Sequence, residues 1–313
     1  MGAVRWLLLV VLSSSVGWAQ DQATWSLRYN LRVGQKWMVR TVLGGMKFET
    51  VIGAGTVDST MDSERWERWE VVDVDEKSVA TIQVTLSRFS GQETAGREQV
   101  TRYTTATEDV SAPDSALYRT LVGRSYYFAM DPAGQVLAVR GVAQIVNAVA
   151  TQATQIISDP ALRARVTARI GRIYNDEYVR QAVSSRLPQY SGQAIRAGQP
   201  WVSQLRTSAD GGTVAEARTT TLLADRTADG NLRFTVVGTG AYQPTNPNDP
   251  ILIEARAESK GAATIDPSSG FPTMVSLRMD LKGSRFRGPK QPTTLVAEYI
   301  SHETVLQEFM PIR

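Results

Sequence analysis

From Trp25 onward apolar and polar residues alternate: Trp25, Leu27, Tyr29 and Leu31 share one side, and Ser26, Arg28, Asn30 and Arg32 the other. A period of two is the signature of a half-buried strand, because successive side chains leave a strand on opposite faces. Val33-Gly34-Gln35 turns the chain, and Trp37, Val39, Thr41 and Leu43 resume the period. Val72 to Asp75 and the set Ala80, Ile82, Val84 and Leu86 flank Asp75-Glu76-Lys77, which predicts a hairpin. In Asp131-Pro132-Ala133-Gly134 the proline presets φ and the glycine accepts a positive φ. A second hairpin is therefore predicted between Tyr126-Tyr127-Phe128-Ala129-Met130 and Gln135-Val136-Leu137-Ala138-Val139.

The period then changes. Val142, Ile145, Val146, Val149, Ala153, Ile156 and Ile157 fall three and four apart, as one stripe of a helix requires. Ser158-Asp159 before Pro160 reads as a cap with proline at the first helical position, opening a helix with Leu162, Val166, Ile170 and Ile173. Asn175 caps a third predicted helix, which carries Tyr178, Val179, Ala182 and Val183 and stops before Pro188. Strand patterning then returns at 213–224, 230–239, 251–265, 272–282 and 293–308.

The second β-rich stretch echoes the first. Gly34-Gln35-Lys36-Trp37 recurs as Gly198-Gln199-Pro200-Trp201, and Asp131-Pro132-Ala133-Gly134 as Asp266-Pro267-Ser268-Ser269-Gly270. The shared order suggests an internal duplication with extra residues between Met46 and Val110 in the first copy. The expected fold class is α+β: two related antiparallel sheets, separate or merged into one curved sheet or half-barrel, with a central helical block packed on an apolar face. The expected divisions are a first β-rich half at 20–141, the helices at 142–187 and a second β-rich half at 188–313.

Residues 1–19 read as a cleavable signal peptide: Arg5, an apolar run from Trp6 to Leu12, and small residues Gly17 and Ala19 before the cut. The run is too short to span a bilayer, so a soluble periplasmic or extracellular product beginning at Gln20 is expected. With no cysteine in 313 residues, disulfides, thiol nucleophiles, thiolate metal sites and a lipidated cysteine are all excluded. The formal net charge of +3 comes without a basic tract, which gives nucleic acid no purchase.

Little in the chain points to catalysis. His302 is the single histidine, so no site with two imidazole ligands can form, and no local spacing assembles a triad around it. Asp62, Glu64, Glu67 and Glu70 cluster, and paired carboxylates are what glycoside hydrolysis needs. Interleaved with Arg65 and Arg68, they read better as a solvated strand face. Asp73 and Asp75 begin like a calcium loop, but Lys77, Ser78 and Val84 break the pattern. Gly53-Ala54-Gly55 lacks the helix that a phosphate-binding turn requires. No catalytic residue, metal site or cofactor is predicted. Trp66 and Trp69 are the candidate ligand-binding residues: on a strand they take opposite faces, so at most one joins the core and the other is free to line a cavity or interface.

Tyr29-x-Leu31-x-x-Gly34-Gln35-x-Trp37, Phe128-x-x-Asp131-Pro132-x-Gly134, the helical middle and the second Gly-Gln-x-Trp together resemble uncharacterised exported bacterial proteins of unknown function. More loosely, the arrangement is similar to periplasmic carriers of the LolA and LppX type, whose curved antiparallel sheet wraps helices around an apolar cavity. The resemblance implies an envelope protein that binds a lipid or other apolar ligand. A non-catalytic scaffold that engages an envelope protein partner is the alternative, and a carboxylate-dependent polysaccharide hydrolase a distant third. No nucleic acid or membrane insertion is expected.

Overall fold

A computed structural model describes residues 24–95, 99–105, 113–209, 212–244, 251–287 and 294–312. The predicted signal peptide lies outside them. In chain order the elements are β1 (Trp25–Ser26), β2 (Lys36–Val51), β3 (Gly55–Val74), β4 (Ala80–Ala95), β5 (Gln99–Thr104), α1 (Pro113–Leu121), β6 (Ser125–Met130) and β7 (Val136–Arg140). There follow α2 (Val142–Ile156), α3 (Pro160–Ile173), α4 (Asp176–Arg186), β8 (Ala194–Ile195), β9 (Pro200–Ala209), β10 (Gly212–Arg226) and β11 (Leu232–Pro244). The chain ends in β12 (Ile251–Ile265), β13 (Pro272–Arg287) and β14 (Thr294–Pro311).

One antiparallel sheet of 12 strands dominates, in the order β7-β6-β4-β3-β2-β14-β13-β12-β11-β10-β9, with β5 on β4. This overturns the α+β expectation of two related sheets around a central helical block: the chain is mostly β. The join is β14, which pairs with β13 on one side and with β2 on the other, from Ala297↔Val51 to Pro311↔Trp37. Periodicity tells which face a residue takes but not which strand it will pair with, and the pairing is what makes one sheet of two halves. The helices are subordinate. α2 and α3 fill the stretches whose three-and-four spacing predicts them, and Asp159 caps α3 by accepting from the amide of Ala161. They pack chiefly on α1, on one another and on β6, so they do not form a layer over the sheet.

The sheet curls. The ends of its main strand order are β7 and β9, with β5 a further edge beside β4, and α4 touches both β7 and β9. Unpaired strand edges invite association, and a helix laid along them is one of the ways proteins cover them. Curvature is eased where glycine stands on the inner face, which carries the buried residues. A Cβ on Gly261 or Gly283 would collide with the backbone oxygen of Ser276 or Glu254 on the neighbouring strand.

The two Gly-Gln turns are built alike. The amides of Gly34 and Gly198 donate to Val71 O and Leu222 O, both at 2.8 Å, while Gln35 Oε1 and Gln199 Oε1 accept from the amides of Arg32 and Arg196. Both Asp-Pro hairpins dock on the segment around Tyr29: its amide donates to Pro132 O and that of Asn30 to Ser269 O. Tyr190 ties the same end together, with its amide on Ala133 O and its hydroxyl on Gly270 O at 2.5 Å.

The main core lies on the inner face near this end. Trp37 stacks on Phe271 with ring centres 4.1 Å apart, and Trp69 meets Phe128, Phe271 and Phe309 edge-on. Such ring pairs add about 0.5–1.5 kcal/mol each beyond the area they bury. A second, smaller cluster of Val214, Tyr242, Ala255, Ala257, Leu281 and Tyr299 lies further along the strands. Between the two clusters runs a buried polar row, in which Arg218 forks onto Glu216 (3.2 and 3.0 Å) and Ser259 donates to the same carboxylate.

Candidate functional site: the interior beside α4

Helix α4 is short, and its sequence explains both ends. Asn175 caps it, Asp176 and Glu177 lie in its first turn and Arg186 in its last, as the helix dipole favours. Pro188 disfavours helical geometry at Leu187 and ends it. Val179, Val183 and Leu187 are buried. Arg218 Nη1 donates to Ser185 O at 2.6 Å, satisfying a carbonyl of the last turn that no helical amide reaches. So a charged side chain from β10 pins the helix inside the curl.

On the sheet beneath, the inner face of β3 presents Arg65, Glu67, Trp69 and Val71 in strict alternation. Glu67 is fully buried; its carboxylate lies 2.9 Å from Arg65 Nε and accepts from Trp69 Nε1 at 3.2 Å. A buried carboxylate costs several kcal/mol unless it is paired, and Arg65 is the partner. The pair is imperfect: Arg65 Nε and Glu67 Oε1 are close but misaligned, and neither has a hydrogen bond. Gln307, also buried, donates to Thr41 Oγ1 at 3.1 Å and leaves its own Oε1 unpartnered.

Around this group stand Tyr126 from β6, Tyr174 ahead of α4, and Tyr178 and Arg186 from α4, enclosing a cleft between helix and sheet. Arg65 retains 25% of its side-chain surface and lines the cleft. Burial is the largest influence on Arg65 and pulls it down, but Glu67 together with Tyr174, Tyr126 and Tyr178 outweighs it and raises the guanidinium above its ordinary value. Burial, and then Arg65, hold Arg186 below the ordinary value. Burial pushes the Tyr126 hydroxyl up, helped by Glu67, and pushes that of Tyr174 up against the pull of Arg65, so both remain protonated donors at neutral pH. In charge, Arg65 and Glu67 cancel. Among the described residues, no carboxylate lies within ion-pair distance of Arg186, and one enclosed positive charge is left over.

A second cleft opens at the C-terminal end of α4, lined by Leu187, Leu205, Phe234, Val236, Val275 and Leu277, with Arg218 and again Arg186 at its margin. Each cleft offers only about 20 Å³ to the centre of a water molecule. That is room for about one or two waters. The interior is close to packed but not filled.

Of the two candidate tryptophans, Trp69 lines the first cleft and Trp66 does not. Trp66 lies on the outer face, where its Nε1 donates to Glu64 Oε1 at 2.7 Å and Arg40 sits over its ring. The carboxylates are not brought together either: Glu64 pairs with Arg40 and Glu70 with Lys36 on the outer face, while Glu67 alone points inward. His302 meets Asp280 on the outer face, Nδ1 to Oδ1 at 2.6 Å. Sequence reasoning missed Arg65, Tyr126, Tyr174, Tyr178, Arg186 and Gln307. One signal was present: extending the alternation of Val71 and Trp69 backwards puts Glu67 and Arg65 on the buried face, where charge is rare without a reason.

A family model described as a family of unknown function (DUF6263) matches residues 77–272. No curated protein matches the chain. A structure of lipid–protein interactions in lipovitellin aligns at 10% identity and a TM-score of 0.48, over 89% of this chain and 25% of that one. The chain thus spans a quarter of that protein's length. OccK7 (OpdD) of Pseudomonas aeruginosa aligns at 8% identity and a TM-score of 0.24, over 90% of this chain and 100% of that one. An outer membrane channel of Pseudomonas putida F1 aligns at 6% identity and 0.26, over 90% and 97%. Among the described residues no helix is long and apolar enough to cross a membrane.

Proposed function

As the chain belongs to the DUF6263 family, whose function is unknown, we propose from its own geometry that it is an exported, non-catalytic envelope protein that holds an apolar or amphipathic ligand inside its curled sheet. The observation that carries this reading is α4 itself, a short helix wedged in the curl with one incompletely filled cleft along it and another at its C-terminal end. Val179, Val183 and Leu187 form a stripe about 12 Å long at 1.5 Å per residue, a shape an alkyl chain can replace. As they stand the clefts are too small for such a chain. Binding therefore requires α4 to shift, and the sheet behind it keeps an apolar wall of Phe234, Val236, Val275 and Leu277 for the ligand.

Organic extraction of the protein purified from the envelope, followed by mass spectrometry, should yield a copurified lipid in near-stoichiometric amount. An empty protein that also fails to bind a fluorescent fatty-acid analogue would sink the reading. The export half is tested apart: the secreted product should begin at Gln20, and an intact Met1 would refute cleavage. The matching Gly-Gln turns support the further reading that the two halves arose by duplication.

The outer face favours a second reading, a scaffold for an envelope protein partner. There Met38, Val42 and Phe48 of β2 lie directly opposite Met310, Leu306 and Ile300 of β14, none of them fully buried. Crosslinking from position 42 in intact cells should trap a partner protein if this reading holds, and only self-contacts or none if it does not.

A further inference from the structure

We propose that the enclosed cluster of Arg65, Arg186, Tyr126, Tyr174 and Tyr178 is an oxyanion site, built to take a single carboxylate or phosphate group in the cleft against α4. It rests on the ligand-binding reading above and names the head group of the ligand. Two observations converge. Charge is the first: Arg65 is matched by Glu67, and Arg186 is left without a counter-ion among the described residues. Arg186 is only half-buried, and a bound monoanion would supply the ion-pair partner it lacks.

Donor geometry is the second. Two guanidiniums and three phenols line one cleft, and a guanidinium fork matches the two oxygens of a carboxylate or phosphate. The hydroxyls of Tyr126 and Tyr174 stay protonated and can only add donors. Glu67 Oε1 and Gln307 Oε1 are buried acceptors near the cleft, so a water or the hydroxyl of a protonated phosphate, and not the oxyanion's own charged oxygens, would satisfy them. The cleft as it stands has room for a water or an oxyanion's leading atoms, and Arg186 borders the apolar cleft as well. A head group held here would therefore have its chain directed past the C-terminal end of α4 into the apolar cleft.

The test is calorimetric titration of the delipidated mature protein with oleate, methyl oleate, acetate and inorganic phosphate, repeated on Arg186→Gln and Arg186→Lys. Circular dichroism and thermal melts confirm that each variant is folded. Oleate should bind one to one, with at least a tenfold loss for methyl oleate and for R186Q and partial recovery in R186K. Equal binding of oleate and methyl oleate, indifferent to position 186, overturns the oxyanion site and leaves the apolar-ligand reading standing. Binding of acetate or phosphate that needs Arg186, without any binding of oleate, upholds the oxyanion site and removes the apolar ligand. Failure of all four probes overturns both.

Discussion

Glu67 shows how much a single buried charge can organise. Its carboxylate holds Arg65 on one side and the Trp69 indole on the other, at full burial. Glu67→Gln removes the charge but nearly keeps the shape, leaving two guanidiniums enclosed without a counter-ion. Breaking a buried pair in this way costs about 3–5 kcal/mol, to be read from urea unfolding at neutral pH. Arg186→Gln should do the opposite, leaving stability unchanged or improved, because it deletes a charge that has no partner to lose. Asp266 offers a pH test. Partial burial pushes its carboxyl up, yet hydrogen bonds from Ser268 and Ser269 outweigh that, and it titrates below the usual carboxylate range. A depressed folded pKa means stability that is present above the unfolded value of about 3.9 and is lost as pH falls through the folded one. Asp266→Asn should therefore flatten the acid limb of the stability profile and lower stability at pH 7. At this scale the sequence was partly legible. The Asp-Pro turns and the opposite faces of Trp66 and Trp69 followed from spacing, whereas which tryptophan is buried and the roles of Arg65 and Arg186 did not, because a charged residue in a strand reads as solvated until its face is known.

Among the elements, α4 carries the most. Its caps were readable: Asn175 before Asp176-Glu177, and Pro188 after Leu187. Asn175→Ala should cost about 1 kcal/mol, measured by chemical denaturation, with a larger effect on a ligand-free sample if the ligand braces the helix. The strands carry their own signal in their glycines. Gly283 meets Glu254 O and Ala255 so closely that any side chain must push β12 and β13 apart. Gly283→Ala is expected to destabilise by about 1–3 kcal/mol in the same assay, as overpacking does. Sequence alone could mark Gly283 only as an unusual strand residue, since close approach depends on which strand lies alongside.

For the whole molecule, the open question of a curled sheet is its edges. Here β7 and β9 are both met by α4, so one helix covers what would otherwise be two templates for pairing with other chains. Val179→Asp with Val183→Asp should eject the helix and expose those edges. Concentration-dependent association by light scattering, at unchanged far-ultraviolet strand content, is the expected result, and a monomer at all concentrations would refute it. The sequence by itself determined the local matters: the strand and helix periods, the caps of α3 and α4, the turns at Gly34, Asp131, Gly198 and Asp266, and the absence of thiol chemistry. Each of these depends on residues within a turn or two of one another. Only the tertiary structure decided that β14 joins both halves into one sheet, that the sheet curls until α4 spans its edges, and that Arg65, Tyr126, Arg186 and Gln307 meet. Such facts rest on pairings between residues up to hundreds of positions apart, as with Gln307 and Thr41. A period in one sequence specifies the face a side chain takes, but the partner on that face is chosen by packing and hydrogen bonding across the finished fold.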